Sequence, residues 1–477
     1  MIKNSSILVF GKFRVVHPGH MRLFKQALDL GSKLVVGIIS NDENNQDVEF
    51  SETLLRNLPF IDEVIVEREV ETLIRKVQPN IILVGAEHKD SEISRLAAVR
   101  EVGARIVYSS GETFLNTQDL VVNDNSSSIV LKNYPIDFLK RNNINFVRLK
   151  NILAKFQSLK VVVVGDLIID EYINCHTIGM SNEDPMVVNA PISSTKYIGG
   201  AGIVAAHCSA LGASAHLVSI VGDDETSNWA LRRLKELGVA SKIQRDSTRD
   251  TTLKQRYKNG HHTLFRLSKI SRNPIDNNLH KIFQREILEL IESADVLIFS
   301  DFSYGVLTNE VSQHIIKSTQ IDRLFVSADS QSSSQVGNLG KFSGVDLVCA
   351  TEREARLELR NDSDGLAYIA NQLRKKLNSK NVFLKLGSDG VLLDGIAKNL
   401  ALEINTDRVP ALNPNPLDVS GAGDSMLAIS SLCFASGADI YESALISSLG
   451  SAIQVGRQGN IPVTLDEITF QLSKMFD

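Results

Sequence analysis

At 477 residues the chain is too long for one ordinary core, and length alone suggests roughly two to four domains. Hydrophobic residues make up 43% and charged residues 22%, the balance of a globular protein, and a net charge of -5 with no long basic block argues against a nucleic-acid scaffold. Cys175, Cys208, Cys349 and Cys433 are scattered with no CxxC, which argues against a disulfide framework. No apolar run approaches the roughly 20 residues of a membrane helix, and "MIKNSSILVFGKF" has neither a signal-length apolar run nor a small-residue cleavage site. The expected setting is the cytoplasm, with no membrane or nucleic-acid partner.

Taken in chain order, "SILVF" reads as a buried strand, and "HMRLFKQALDL" follows with apolar residues at helical spacing, closed by Gly31. "KLVVGIIS", "EVIVE", "NIILVGA" and "ARIVYSS" are further strands, with the helix "VETLIRKVQ" among them. Strand and helix alternate, so a parallel, doubly wound α/β domain is expected over residues 1–122. The polar cluster "NDNSSS" and the turn-and-helix stretch after it make 123–156 the expected linker. "LKVVVVGDLIIDEY" opens a second α/β domain, expected over 157–477, with strands at "AHLVSIVG", "DVLIFSD", "RLFVSAD", "VDLVCA" and "NVFLKLG". "TLKQRYKNGHHTLFRLS" alternates and turns at Asn259-Gly260, so it reads as a β-hairpin, the form of a small lid.

Two stretches carry chemistry. In "VFGKFRVVHPGH" the histidines His17 and His20 fall where a strand ends and a helix begins. Ligands of open α/β sheets bind there, and a helix N-terminus suits phosphate. Two imidazoles can stabilise charge building on phosphorus; the competing reading is a pair that merely caps the helix. In "DVSGAGDSM", Gly421, Ala422 and Gly423 can turn their N–H groups toward one point as an anion hole, and Asp424 at the helix start can take a proton from a hydroxyl. Together these make a phosphoryl-transfer site; an inactive Gly-rich turn is the alternative.

The residues "GKFRVVHPGH" resemble the Gly-x-Phe…His-x-Gly-His signature of the nucleotidyltransferase superfamily that includes the cytidylyltransferases. That resemblance covers Ile7 to about Leu120 and implies a Rossmann-like domain in which His17 and His20 are catalytic, with Gly11, Phe13 and Thr117 at the nucleotide. Arg14 stands where the family has Asp, and Ser40–Leu55 holds no Lys or Arg. Lys160–Val463 resembles the ribokinase family of sugar kinases through "VVVVGDLIIDEY", "YIGGAGIVAAHCSALGA", "VGDDE", "TEREA", "LKLGSDG" and "DVSGAGD". This implies Asp424 as base, sugar contacts at Asp170, Gly199 and Gly200, nucleotide contacts at Lys385 and Gly387, and Mg²⁺ ordered through water by Glu354.

Within that family, the Ser-x-Glu-x-Pro segment of "MSNEDPMVV" and "RDTTLKQRY…HTLFRLS" resemble the heptose-phosphate kinases, which adds Lys254 and Arg256 as sugar-phosphate ligands. Solvated strand charge is the competing reading of those two. Ile203 stands where the family's Gly-Gly signature has Asn, Thr351 where its Mg²⁺ motif has Asn, and "ADSQSS" replaces an Asp-Pro-Lys-Gly run. A kinase joined to a nucleotidyltransferase resembles the bifunctional makers of ADP-heptose for lipopolysaccharide, with the domain order reversed. The resemblance implies ATP-dependent phosphorylation of D-glycero-D-manno-heptose 7-phosphate at the anomeric hydroxyl, then nucleotidyl transfer from an NTP, ATP by analogy, to the sugar 1-phosphate. It also implies a homodimer. The alternatives are a kinase for another sugar or nucleoside with an N-terminal domain that only binds nucleotide, and a non-catalytic protein built from two former enzymes.

Overall fold

In the computed structural model the described residues are 6–11, 13, 18–31, 33–40, 45–84, 97–108, 131, 134–181, 183–184, 186–259, 262–273, 275–319, 323–331, 338–396 and 406–476. The chain divides into two compact units, Met1–Ser128 and Ile129–Asp477.

The first unit is one five-stranded sheet of β1 (Ser6–Gly11), β2 (Lys33–Ile39), β3 (Glu63–Glu67), β4 (Ile81–Val84) and β5 (Arg105–Tyr108), in the order β3-β2-β1-β4-β5. All its pairings are parallel. This is the doubly wound arrangement, whose ligand crevice lies at the carboxyl ends of the strands where the order reverses. β1 is the central strand, and the helix Pro18–Leu30 follows it. β1 and β2 read as apolar runs because helices cover both faces: Ile7, Val9 and Val36 enter one core cluster, Leu8 and Val35 another.

The second unit is built on a nine-stranded sheet. Its strands are β6 (Lys160–Gly165), β9 (Ser214–Val221), β10 (Ala240–Arg245), β13 (Val296–Asp301), β14 (Phe325–Ser330), β15 (Leu347–Thr351), β16 (Asn381–Lys385), β17 (Val391–Gly395) and β18 (Thr406–Val409). They run β10-β9-β6-β13-β14-β15-β16-β17-β18, parallel as far as β16 and antiparallel beyond it. Two core clusters cover its faces. One holds the helices Ala201–Ala210, Ala422–Ala435 and Ile440–Val455, which are buried nearly all round. Their Ala, Ser and Gly content lets backbones approach closely; a Cβ on Gly450 would lie 2.0 Å from Ile429 Cδ1.

A separate four-stranded sheet, β12-β11-β7-β8, is formed by β7 (Leu167–Met180), β8 (Val187–Gly200), β11 (Thr252–Asn259) and β12 (His262–Lys269). The expected hairpin is present as β11 and β12, paired antiparallel. β7 and β8 add a second, longer hairpin that the sequence reading left unassigned beyond its first residues.

The expected linker, 123–156, differs from what the structure shows over its described part. The helices Ile136–Arg141 and Phe146–Lys155 bury Phe138, Leu149, Ile152 and Leu153 in the core of the second unit. Leu149, Ile152, Leu153 and Phe156 fall at spacings of three and four, one face of a helix, which is why the segment packs instead of spanning. Asn145 caps the second helix by accepting from Val147 and Arg148 N–H, Arg141 forks onto Asp407, and Arg148 pairs with Glu442.

Candidate active site

The second unit gathers its polar side chains in one pocket. Its walls include Asp170, Lys254, Arg256, Asp301, Asp329 and Asp424. Asp301 and Asp329 stand at the carboxyl ends of β13 and β14. Gly421 and Gly423 also line it, at the start of the helix Ala422–Ala435. Gly421 has φ 78, the left-handed region that favours glycine, and a Cβ there would lie 2.6 Å from Asn460 Oδ1. Asp424 therefore sits in the first turn of a helix, near enough to Asp329 and Asp170 for their charges to act on its carboxyl. Burial, then the charges of Asp329 and Asp170, raise its pKa to about 7, against Lys385 and Lys254. A carboxyl that titrates near neutrality is suited to accept a proton.

The lid supplies the opposite wall. Asp170 of β7 lies directly across the ladder from Lys254 of β11, and Tyr172 across from Arg256. Asp170 is buried, and burial raises its pKa despite Arg256 and Lys254. Its Oδ2 accepts from Asn460 Nδ2 at 3.1 Å, and Arg256 approaches its other oxygen at 3.7 Å. The Lys254 ammonium lies 4.8 Å from the Phe302 ring centre and 5.3 Å from that of Tyr304. These aromatic faces orient the amine without neutralising it. The loop that carries them is held by Asp166, which accepts from Phe302 N–H at 2.8 Å. Gly200, which also lines the pocket, has φ 57, and a Cβ there would meet the Asp166 carbonyl oxygen at 2.3 Å.

Lys385 pairs with Asp329 beside Gly423, and Asp329 and Glu354 hold it protonated although burial opposes this. The second oxygen of Asp329 is buried with no hydrogen-bond partner. Glu354 and Thr351 form a capping box at the helix Glu352–Leu359: Glu354 accepts from Thr351 N–H at 2.8 Å, and Thr351 Oγ1 accepts from Glu354 N–H at 3.3 Å. Thr351, in the family's Asn position, is thus a helix cap. Among the described residues no group of three or more acids, histidines or cysteines forms a ready metal cage. An oxygen-only donor set of one or two carboxylates beside a phosphate loop fits Mg²⁺, which keeps water and takes phosphate oxygens as ligands.

The other sequence candidates divide. Gly199 lies against the pocket, since a Cβ there would be 2.4 Å from Asp170 Oδ2. The carbonyl of Ala422 accepts from Ser425 and Ser451, which ties the loop to the next helix. Gly387 opens a short 3-10 turn after β16. Ile203 is 0% exposed inside the core and does not line the pocket, so the residue in the family's Asn position acts as packing. In the first unit, Gly11 ends β1 and His20 lies in the helix after it. The Phe13 side chain is 2% exposed, its ring 4.9 Å from that of His20, so it supports the corner from within. His17 and Thr117 lie outside the described residues. Sequence reasoning missed Asp301, Asp329, Asn460, Tyr172 and Ser420; the Asp of "ADSQSS" and the Gly-Asn after "VGRQ" were the available signals.

A doubly wound sheet, a β lid and an acid at a Gly-rich helix start describe a lidded α/β sugar kinase. The model of the pfkB family carbohydrate kinases matches residues 158–467. The chain belongs to the pfkB family of carbohydrate kinases. The cytidylyltransferase-like model matches residues 8–199. Proteins named bifunctional protein HldE are similar: that of Campylobacter fetus subsp. fetus is 29% identical over 66% of this chain and 67% of its own length. That of Helicobacter hepaticus is 28% identical over 65% of this chain and 63% of its own. The chain thus spans about two thirds of the length of the curated relatives it matches. Among solved structures, the phosphofructokinase-2 of Escherichia coli in complex with fructose-6-phosphate covers 67% of this chain and 99% of its own, with TM-score 0.54 and 17% identity. Arabidopsis thaliana ribokinase complexed with ribose and ATP covers 66% and 98%, with TM-score 0.52 and 15% identity.

Proposed function

We propose that the second unit transfers the γ-phosphoryl of ATP to the anomeric hydroxyl of a sugar phosphate, D-glycero-D-manno-heptose 7-phosphate, and that the first unit then transfers a nucleotidyl group from an NTP, ATP by analogy, to the sugar 1-phosphate. The observation that carries the reading is the pocket itself. One helix-start carboxyl, Asp424, faces two lid cations, Lys254 and Arg256, and a buried acid, Asp170, able to hold hydroxyls. The kinship with proteins named bifunctional supports two linked steps.

In the kinase step Asp424 takes the proton of the anomeric hydroxyl. The freed oxygen bonds to the γ-phosphorus, and the bond to the β-γ bridging oxygen breaks, releasing ADP. N–H groups at Gly421–Gly423 receive the charge of the moving phosphoryl. Asp170 orients sugar hydroxyls, and Lys254 and Arg256 meet the sugar's own phosphate. Mg²⁺ bound with ATP, ordered by Glu354 and Asp329, would neutralise the phosphate oxygens. In the other unit His17 and His20 stabilise charge at the α-phosphorus while pyrophosphate leaves. The second reading is a kinase whose first unit only binds nucleotide; the absence of Lys and Arg from Ser40 to Leu55 favours it.

A homodimer through the lid fits the apolar side chains it exposes, Ile178, Met180, Ile192, Phe265 and Leu267. No helix among the described residues is long and apolar enough to cross a membrane. Incubation with Mg·ATP, the heptose phosphate and each NTP, followed by mass, tests the reading. A nucleotide-sugar supports both steps. An accumulating bisphosphate supports the second reading. No turnover of any sugar phosphate overturns the kinase.

A further inference from the structure

Ser420 precedes the Gly421–Gly423 loop, while Gly459 lies in the turn after the helix Ile440–Val455. The two residues are gripped from both ends. Asp418 accepts from Ser420 N–H on Oδ1 at 3.0 Å and from Gly459 N–H on Oδ2 at 3.1 Å. Gln454 Nε2 donates to the Ser420 carbonyl at 3.3 Å and to the Gly459 carbonyl at 2.9 Å. One carboxylate with two oxygens and one carboxamide with two hydrogens therefore clamp the same pair. Gln454 is 0% exposed, and its Oε1 has no hydrogen-bond partner. An unpartnered amide oxygen in the interior is unfavourable, so the two donated bonds are what this residue contributes. They act next to the phosphate loop: a Cβ on Gly421 would lie 3.3 Å from Gln454 Nε2.

We infer that Gln454 is a positioning residue for phosphoryl transfer, its carboxamide occupying a place where two converging carbonyl oxygens would otherwise need a small monovalent cation. The inference rests on the kinase reading. Carbonyl oxygens drawn together without a donor repel each other and attract a cation of fitting size. Here the donor is part of the chain, so the loop keeps its shape whatever salt is present.

The test uses the full chain and calorimetric titration with two nucleotides, Mg·ADP and the nonhydrolysable triphosphate Mg·adenylyl imidodiphosphate. It is run in ammonium chloride and in tetramethylammonium chloride at matched ionic strength. Wild type binds both nucleotides equally well in either salt. Gln454→Leu, in tetramethylammonium, loses at least roughly tenfold in triphosphate affinity, about the loss expected from stranding even one buried carbonyl, and keeps its ADP affinity. Ammonium restores most of that loss. An equal loss for both nucleotides, or a loss that ammonium does not relieve, overturns the inference. Should the variant fail to fold, a wild-type triphosphate affinity that depends on the small cation also overturns it, and indifference upholds it. A wild-type chain that binds no triphosphate in either salt overturns the kinase reading and this inference together.

Discussion

Asp424, the proposed base, occupies an electrostatically unfavourable place. A carboxylate pressed by burial and by Asp329 and Asp170 is poorly stabilised when charged, which is what raises its pKa to about 7. Asp424→Asn is expected to lower the kinase rate about 10²–10⁴-fold, read from the initial rate of ADP release. It is also expected to raise the melting temperature by a few degrees at pH 8. The sign follows from linkage. A carboxyl whose folded pKa lies above its unfolded value favours the fold below the unfolded pKa, and that contribution disappears as pH rises through the folded pKa. The gain in the Asn variant is therefore present above about pH 7 and absent near pH 4. For the same reason kcat/KM of the wild type should rise with pH along a limb with an apparent pKa near 7. A flat profile between pH 5.5 and 8.5 would exclude Asp424 as the base. At this scale the Gly-rich loop and its acid were legible in sequence, because spacing alone puts them together. Asp301, Asp329 and Asn460 were not: each is a lone polar residue until two strand ends and the turn after the helix Ile440–Val455 bring it to the pocket.

Among the elements, β6 and β13 were easy to read, since strands covered on both faces are continuous apolar runs. β7 and β8 were hard for the opposite reason. The last residues of β7 and the first of β8 leave Ile178, Met180, Val188 and Ile192 in solvent, so no alternation marks a buried face there. The same exposure supports a partner. Phe265→Asp combined with Ile192→Asp should halve the mass seen by sedimentation equilibrium and leave the melting temperature nearly unchanged. A double variant with unaltered mass would remove the lid from the proposed interface.

At the scale of the whole molecule, the division after Ser128 places the two connecting helices with the kinase unit. Polar turns at 123–128 looked like the start of a tether, and the helical spacing behind them was read as part of it. Burial of Phe138, Leu149, Ile152, Leu153 and Phe156 says otherwise. Each such side chain contributes about 1.5–3 kcal/mol, together roughly a domain's whole stability of about 5–15 kcal/mol. A fragment of residues 129–477 should stay soluble and melt cooperatively, whereas 157–477 should aggregate. Equal behaviour of the two, in a thermal melt followed by light scattering, would show the helices to be dispensable. The order of the two units was legible throughout, because each opens on its own motif.

Asp170 and Lys254 face each other across one β-ladder. If these two residues bind the sugar as proposed, the strands that weigh it are also the strands that cover it, and recognition and enclosure fall to one ladder. A sugar too short to reach both would be held but not sealed in. Its ATP would leak to water, and the ratio of ATP spent to sugar phosphorylated would become a direct gauge of fit.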